Sequence, residues 1–247
     1  APQYIDVLWR LYRGQSGRVQ TDCLSKPFAI KRGVRQGDPI SPILFNAALE
    51  TLMRTLKKKW SQKRWGLKLD ARERLQNLRF ADDLLLTGGS LHQAKQMLED
   101  LILEARRFGL EVHDDKTKFL WNGVGRGTAA SNLELCGKHF EVLNGEASTM
   151  YLGRKLSLRS LHETELKNRM AKGWAKFAIY RDELTNSYYS LRQRMRLFVS
   201  VVQPSVLYGC VSWTMTKERE QLLRTTQRKM MRKVVGTKRI VVKDAQG

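Results

Sequence analysis

The stretch Leu78-Arg79-Phe80-Ala81-Asp82-Asp83-Leu84-Leu85-Leu86 sets two adjacent carboxylates between apolar flanks. Short apolar runs on both sides of a polar pair fit two short, buried strands. A reversal at Ala81-Asp82-Asp83 makes a hairpin and lifts both carboxylates to its tip. Burying two like charges side by side is costly unless a cation neutralises them. A hard divalent ion such as Mg²⁺, which prefers oxygen ligands, does so. The plainer alternative is a polar turn between two strands. This stretch taken alone leaves both open, and its neighbours decide between them.

The chain has 247 residues, 42% of them hydrophobic, enough for a sizeable core in one large domain or two small ones. No apolar run is expected to reach bilayer-spanning length, and no secretory signal is visible at the start. The first residue is Ala1, and helix-like sequence begins at once, so a piece of a longer polyprotein is expected. Cys23, Cys136 and Cys210 are far apart, without zinc-ligand spacing, and read as core thiols of a reducing compartment. The net charge of +21 attracts polyanions. It is uneven: residues 1–150 carry +7 and residues 151–247 carry +14. Nucleic acid is the expected partner. A membrane is not, since no lipidation signal accompanies the charge.

Residues 3–13 read as the end of a helix, and Arg18–Thr21 and Phe28–Lys31 as two strands joined by a polar loop ending at Pro27. A Gly- and Pro-bearing loop from Arg32 to Pro42 then opens a helix with Phe45, Leu49, Leu52, Leu56 and Trp60 on one face. Ser41 as its cap and Pro42 in its first turn fit a helix start. The basic run Lys57-Lys58-Lys59 reads equally as a phosphate contact or a solvated helix end. Beyond the carboxylate hairpin, Ser90 and Gln93 form a capping box for a helix burying Leu91, Ala94, Leu98, Leu101, Ala105 and Phe108, stopped by Gly109. Lys118–Trp121 is a strand, and residues 122–150 hold a small hairpin or a crossing loop. The order so far predicts an α+β layer with helices packed on an antiparallel sheet. From Ser160 on the chain reads as helices. One carries Leu166, Met170, Trp174 and Phe177, and another Tyr188, Leu191, Met195, Phe198 and Val202 up to an interruption at Pro204. A third carries Leu222, Leu223, Met230 and Val234 before Gly236.

Four blocks in order now resemble one family. They are Arg32-Gly33-Val34-Arg35-Gln36-Gly37-Asp38-Pro39-Ile40-Ser41-Pro42-Ile43-Leu44-Phe45, then Phe80-Ala81-Asp82-Asp83, then Gly109-Leu110 leading to Lys116-Thr117-Lys118, then Tyr151-Leu152-Gly153. Together they resemble reverse transcriptases of non-LTR (LINE-type) retrotransposons. The later Val206-Leu207-Tyr208-Gly209-Cys210-Val211-Ser212-Trp213 is similar to the segment that follows the thumb in such elements.

The resemblance implies a right-hand polymerase palm in residues 1–150, with trailing fingers elements, and a primer grip and helical basic thumb in 151–247. It implies RNA-directed DNA polymerisation on an RNA template, extending a DNA primer with deoxynucleoside triphosphates and using two Mg²⁺ ions. Asp82 would be the metal-bridging carboxylate, with Asp83 supporting it near the primer end. Arg35, Gln36, Gly37, Pro39 and Ser41 would lie against the incoming nucleotide and the templating base. Lys116 would face the leaving pyrophosphate, and Tyr151, Leu152 and Gly153 would form the primer grip. A nuclear setting follows by family analogy only.

Two departures qualify the likeness. Asp114 stands where the family has Asn, a mild change. The family's first catalytic block, with its own aspartate, is not among these residues, and Asp6 lacks that block's flanking pattern. The chain alone is therefore expected not to polymerise. Two alternatives stay open: a non-catalytic nucleic-acid-binding remnant, and a group II intron-type maturase. The Tyr208–Trp213 segment argues against the maturase.

Overall fold

The computed structural model describes residues 2–123, 132–144 and 147–237. The chain divides into two compact units, Ala1–His113 with Leu135–Gly137, and Asp114–Glu134 with Lys138–Gly247. Helix and strand are mixed throughout, as an α+β chain requires.

The first unit runs α1 (Pro2–Tyr12), β1 (Ser16–Gly17), β2 (Phe28–Ala29), α2 (Ser41–Gln62), β3 (Leu67–Lys68), β4 (Arg74–Leu75), β5 (Asn77–Phe80), β6 (Asp83–Leu86) and α3 (Leu91–Arg107). Its core lies where α2 meets α3. Leu49, Leu52, Met53, Leu56 and Trp60 are buried on one helix, and Met97, Leu98, Leu101, Ile102 and Ala105 on the other. These positions recur by three and four, the spacing that keeps one helix face apolar. The Trp60 indole can be buried because its N–H donates to Asp100 Oδ2 at 3.0 Å. Lys59 pairs with the other oxygen of that carboxylate at 2.6 Å, so this lysine of the basic run ties α2 to α3.

The second unit runs β7 (Lys118–Trp121), β8 (Asn132–Leu135, its last residue counted with the first unit), β9 (Lys138–Asn144), β10 (Thr149–Tyr151), β11 (Arg154–Leu156), α4 (Leu161–Ile179), α5 (Arg181–Thr185), α6 (Leu191–Leu197), α7 (Gln203–Leu207) and α8 (Lys217–Val235). Its helical core gathers Phe177, Leu184, Phe198, Val202, Met230 and Val234. Glycine permits the closest approach in this core. A Cβ on Gly173 of α4 would come within 2.4 Å of Val206 Cγ2 on α7, so only hydrogen lets these helices meet.

Several expectations are corrected. The single antiparallel sheet is replaced, among the described residues, by four separate two-stranded sheets and one three-stranded sheet ordered β7-β9-β8, in which β7 and β9 run parallel. The strand expected at Arg18–Thr21 lies earlier, at Ser16–Gly17. There the Phe28 ring covers Gly17, whose missing side chain makes room, while Val19 and Ser25 close a tight loop through a backbone bond of 2.9 Å. Ser41 is not the cap of α2. Ile40 holds that position, and Asp38 Oδ1 accepts the Ile40 N–H at 3.1 Å while its carbonyl accepts the Ser41 N–H at 3.1 Å. Ser90 does cap α3, but Gln93 does not return to it. Its Oε1 accepts instead from the Gly89 N–H at 2.6 Å and the Gly66 N–H at 3.1 Å. Phe108, expected to face inward, is exposed.

Pro204 does not end its helix. Residues Phe198–Val202 widen into a π-helical turn, the Gln203 N–H reaches back to the Phe198 carbonyl, and α7 continues through the proline to Leu207. A wider turn absorbs the missing N–H and the ring's bulk. The helical stretch Leu191–Ser212 is thereby long and apolar enough, by length and composition alone, to cross a bilayer, which the sequence divided at Pro204 did not show. Its Phe198 and Val202 are packed in the core just described. Tyr188 lies outside the helix and is exposed. The three cysteines are also exposed, not core thiols. Of the 122–150 expectation, β8 and β9 supply a hairpin, while residues 124–131 and 145–146 lie outside the described residues.

Candidate active site

Strands β5 and β6 pair antiparallel with Phe80 opposite Asp83, which leaves Ala81-Asp82 as a two-residue turn. The apolar flanks drive the pairing, and the shortness of the turn fixes the register. Ala81 adopts φ +53, a left-handed conformation that costs an L-residue about 1–2 kcal/mol. Asp82 therefore stands in the turn and Asp83 at the first position of β6, as the sequence predicts. Both are exposed, so the expected burial of two like charges is not what the structure shows. The charges tolerate adjacency because water screens them. Two carboxylates at one tip still offer the oxygen donors a hard divalent cation takes.

The hairpin is held from behind. Arg79 of β5 pairs with Glu50 Oε2 of α2 at 2.7 Å, and Arg54 holds the other oxygen at 2.8 Å. Hydrogen bonds from Arg54 and then Arg79 keep the Glu50 carboxyl below its ordinary range. Leu84, Leu85 and Leu86 are half-buried, whereas Leu78 and Phe80 on β5 remain exposed.

In the loop before α2, Gly33 and Gly37 both take φ +89. A Cβ on Gly37 would meet nothing, so this glycine serves the backbone turn and not a close approach within the unit. Arg35 donates to Gln15 Oε1 at 3.2 Å, Gln36 is exposed, and Pro39 stands between Asp38 and the Ile40 N-cap of α2. Ser41 is buried, its hydroxyl 3.4 Å from that of Tyr12. Lys116 belongs to the second unit, exposed on a turn closed by the Thr117 N–H to the Asp114 carbonyl at 3.1 Å.

The Tyr151-Leu152-Gly153 block forms the turn of a second hairpin. Strands β10 and β11 pair with Tyr151 opposite Arg154, leaving Leu152-Gly153 between them at φ +48 and +74. Positive φ at both central residues is the conformation that suits the twist of a two-residue hairpin. The structure brings this block together with the Val206–Trp213 segment: the Tyr208 hydroxyl donates to the Leu152 carbonyl at 3.0 Å. Gly209, at φ +73, sits where a Cβ would lie 3.2 Å from Arg154. Arg154 in turn donates to the Ser212 hydroxyl.

Sequence reasoning missed what stands beneath that turn. Glu165 and Arg169 of α4 form an ion pair at 2.7 Å, with side chains 0% and 4% exposed. Glu165 also accepts the Lys155 N–H at 2.7 Å and Asn168 Nδ2 at 3.0 Å. Arg169 and Lys172 both donate to the Gly153 carbonyl, the latter at 3.1 Å. The Arg169 guanidinium lies 4.9 Å from the centre of the Tyr208 ring, a cation–π distance. The one available signal was the four-residue spacing of Glu165 and Arg169, which usually marks a solvated helix pair.

Comparison with known proteins agrees with these blocks. The family model for reverse transcriptase (RNA-dependent DNA polymerase) matches residues 1–156. An uncharacterized transposon-derived protein of Caenorhabditis elegans is 30% identical over 168 residues, covering 66% of this chain and 57% of that protein. The Pol polyprotein of a type-1 retrotransposable element R2 from Popillia japonica is 26% identical over 209 residues, 81% of this chain and 32% of the polyprotein. A type-2 R2 element Pol polyprotein of Drosophila melanogaster is 32% identical over 116 residues, 46% of this chain and 9% of the polyprotein. The chain belongs to the reverse transcriptase family. Its relatives include Pol polyproteins of R2 retrotransposable elements, and it spans only part of the length of the relatives it matches.

Proposed function

We propose that the chain is the part of a LINE-type RNA-directed DNA polymerase that carries the second catalytic carboxylate block, the primer grip and the thumb, within a longer polyprotein. The observation that carries this is the two-residue turn that presents Asp82 and Asp83 together at one exposed tip. The reaction joins a primer 3′-oxygen to the α-phosphorus of a deoxynucleoside triphosphate, and pyrophosphate leaves. Two Mg²⁺ ions, when bound, stabilise the attacking and leaving oxygens. Asp82 would be the main carboxylate holding the ions, with Asp83 supporting it near the primer end. Arg35, Gln36, Gly37, Pro39 and Ser41 border the incoming nucleotide and the templating base, and Lys116 faces the leaving pyrophosphate. Residues 1–150 act as palm with trailing fingers elements. Residues 151–247 begin at the primer grip and continue as a thumb that holds the RNA–DNA duplex by its phosphates. The setting is the nucleus.

The +14 charge of residues 151–247 supports the thumb assignment, since phosphate contacts draw on Lys and Arg. Binding is the informative assay. Asp82→Asn abolishes the Mg²⁺-dependent part of primer–template affinity and leaves the salt-sensitive part in place. Equal Mg²⁺ dependence in both proteins would instead favour the non-catalytic binding remnant.

A further inference from the structure

Two sequence blocks 56 residues apart meet at one backbone turn, joined by the half-exposed Tyr208 above the buried Glu165 and Arg169. The Leu152 carbonyl accepts from the Tyr208 hydroxyl, and the Gly153 carbonyl accepts from Arg169 and Lys172. On the outer edge of β11, Glu165 takes the Lys155 N–H and thereby sets where Arg169 lies. Leu152 has a left-handed φ of +48, which a leucine adopts only where its surroundings over-determine it. An ion pair with no access to water is a poor source of net stability and a good source of fixed geometry. This one is spent on holding a turn that a two-stranded hairpin alone holds weakly.

We infer that Glu165, Arg169, Lys172 and Tyr208 are positioning residues that lock the Leu152-Gly153 turn in the shape in which it meets a primer strand. This rests on the reading of that turn as the primer grip. Tyr208 thereby gives the segment after α7 a role in the grip: it reaches back and clamps it. Arg169 acts through the turn and through the Tyr208 ring, and has no need to touch nucleic acid itself. The locked turn favours a duplex with a recessed primer 3′-end over a blunt duplex of equal length. Phosphate attraction by the basic helices does not distinguish the two.

Glu165→Ala and Arg169→Met strand a buried charge and risk failing to fold, so Tyr208→Phe is the working variant. It removes one hydroxyl, keeps the ring over Arg169 and leaves the net charge unchanged. Two readouts on the 247-residue chain are compared with wild type: the affinity ratio for recessed against blunt duplex, and amide hydrogen exchange at residues 152–155. The expected result is a recessed-end preference reduced to near unity, blunt-duplex affinity unchanged, and exchange at the turn faster by about fivefold, the equivalent of one lost hydrogen bond. Arg169→Lys, which keeps the charge but not the forked geometry, shows the same loss of preference. A variant that keeps the wild-type preference overturns the inference, and so does one that weakens both duplexes equally with unchanged exchange. If wild type itself does not distinguish the duplexes, the primer-grip reading fails. The positioning claim is then decided by exchange alone: faster exchange in Tyr208→Phe supports it, and unchanged exchange overturns it.

Discussion

The hairpin tipped by Asp82 and Asp83 and the hairpin tipped by Leu152-Gly153 are built alike and held differently. Each is a two-stranded antiparallel pair closed by two residues, and each places a non-glycine residue in the left-handed region, Ala81 in one and Leu152 in the other. The first turn projects freely. Its support is the Arg79–Glu50 pair on the strand behind it, and the Glu50 carboxyl stays open to water. The second turn is clamped at both carbonyls by donors from α4 and from Tyr208, over an ion pair closed to solvent. Two-residue turns, one with positive φ at Ala81 alone and the other at both Leu152 and Gly153, thus serve two ends. An open tip leaves carboxylate oxygens available to a cation, while a clamped tip is available only as shape.

The largest break in the comparison comes from Glu165→Ala. It strands the Arg169 guanidinium in the interior and is expected to cost about 3–5 kcal/mol in urea unfolding of the second unit. A loss below about 1 kcal/mol, as for exposed pairs, would mean that the clamp is no stronger than a surface bridge. Next is Gly173→Ala. Alanine ordinarily improves a helix interior by about 1 kcal/mol. Here its methyl group overlaps Val206, so a net loss of about 1–3 kcal/mol is expected, with α7 pushed off α4 and Tyr208 drawn from Leu152. Thermal unfolding with exchange at residues 152–155 checks both parts.

Ala81→Gly works in the other direction. Glycine relieves the left-handed backbone at some entropic cost, and a net gain of about 0.5 kcal/mol is expected in the first unit. The smallest effect belongs to Glu50→Gln. The folded-state pKa of Glu50 is depressed by Arg54 and Arg79, so its contribution is present above the ordinary glutamate value of 4.5 and is lost as pH falls through the folded value. Comparing wild type and variant from pH 7 downward should show a slight wild-type advantage that vanishes in acid, because the pair is exposed.

Much of the first unit was legible in sequence. The three- and four-residue spacing marked the buried face of α2 and most of that of α3, and Ser90 marked the start of α3. The carboxylate turn could be read because a hairpin depends on neighbours in sequence: apolar flanks and a polar pair specify it locally. The clamp on the second turn could not. Glu165 and Arg169 have the spacing of a solvated helix pair, and only the hairpin lying over them makes them interior. Tyr208 stood out as part of a family block, but its partner is a backbone carbonyl, which carries no residue signature. Pro204 misled because a proline reads as a helix break, whereas a π-helical turn at Phe198–Val202 carries the helix through it.

The most direct test of the central claim is to map a paramagnetic divalent ion on the chain. With Mn²⁺ added in place of Mg²⁺, the amide signals of residues 81–84 are followed beside those of residues 151–154. The account predicts selective broadening at the Asp82-Asp83 tip, reversed by excess Mg²⁺ and abolished in Asp82→Asn. No broadening at the carboxylate tip, or broadening there that survives in Asp82→Asn, would contradict it.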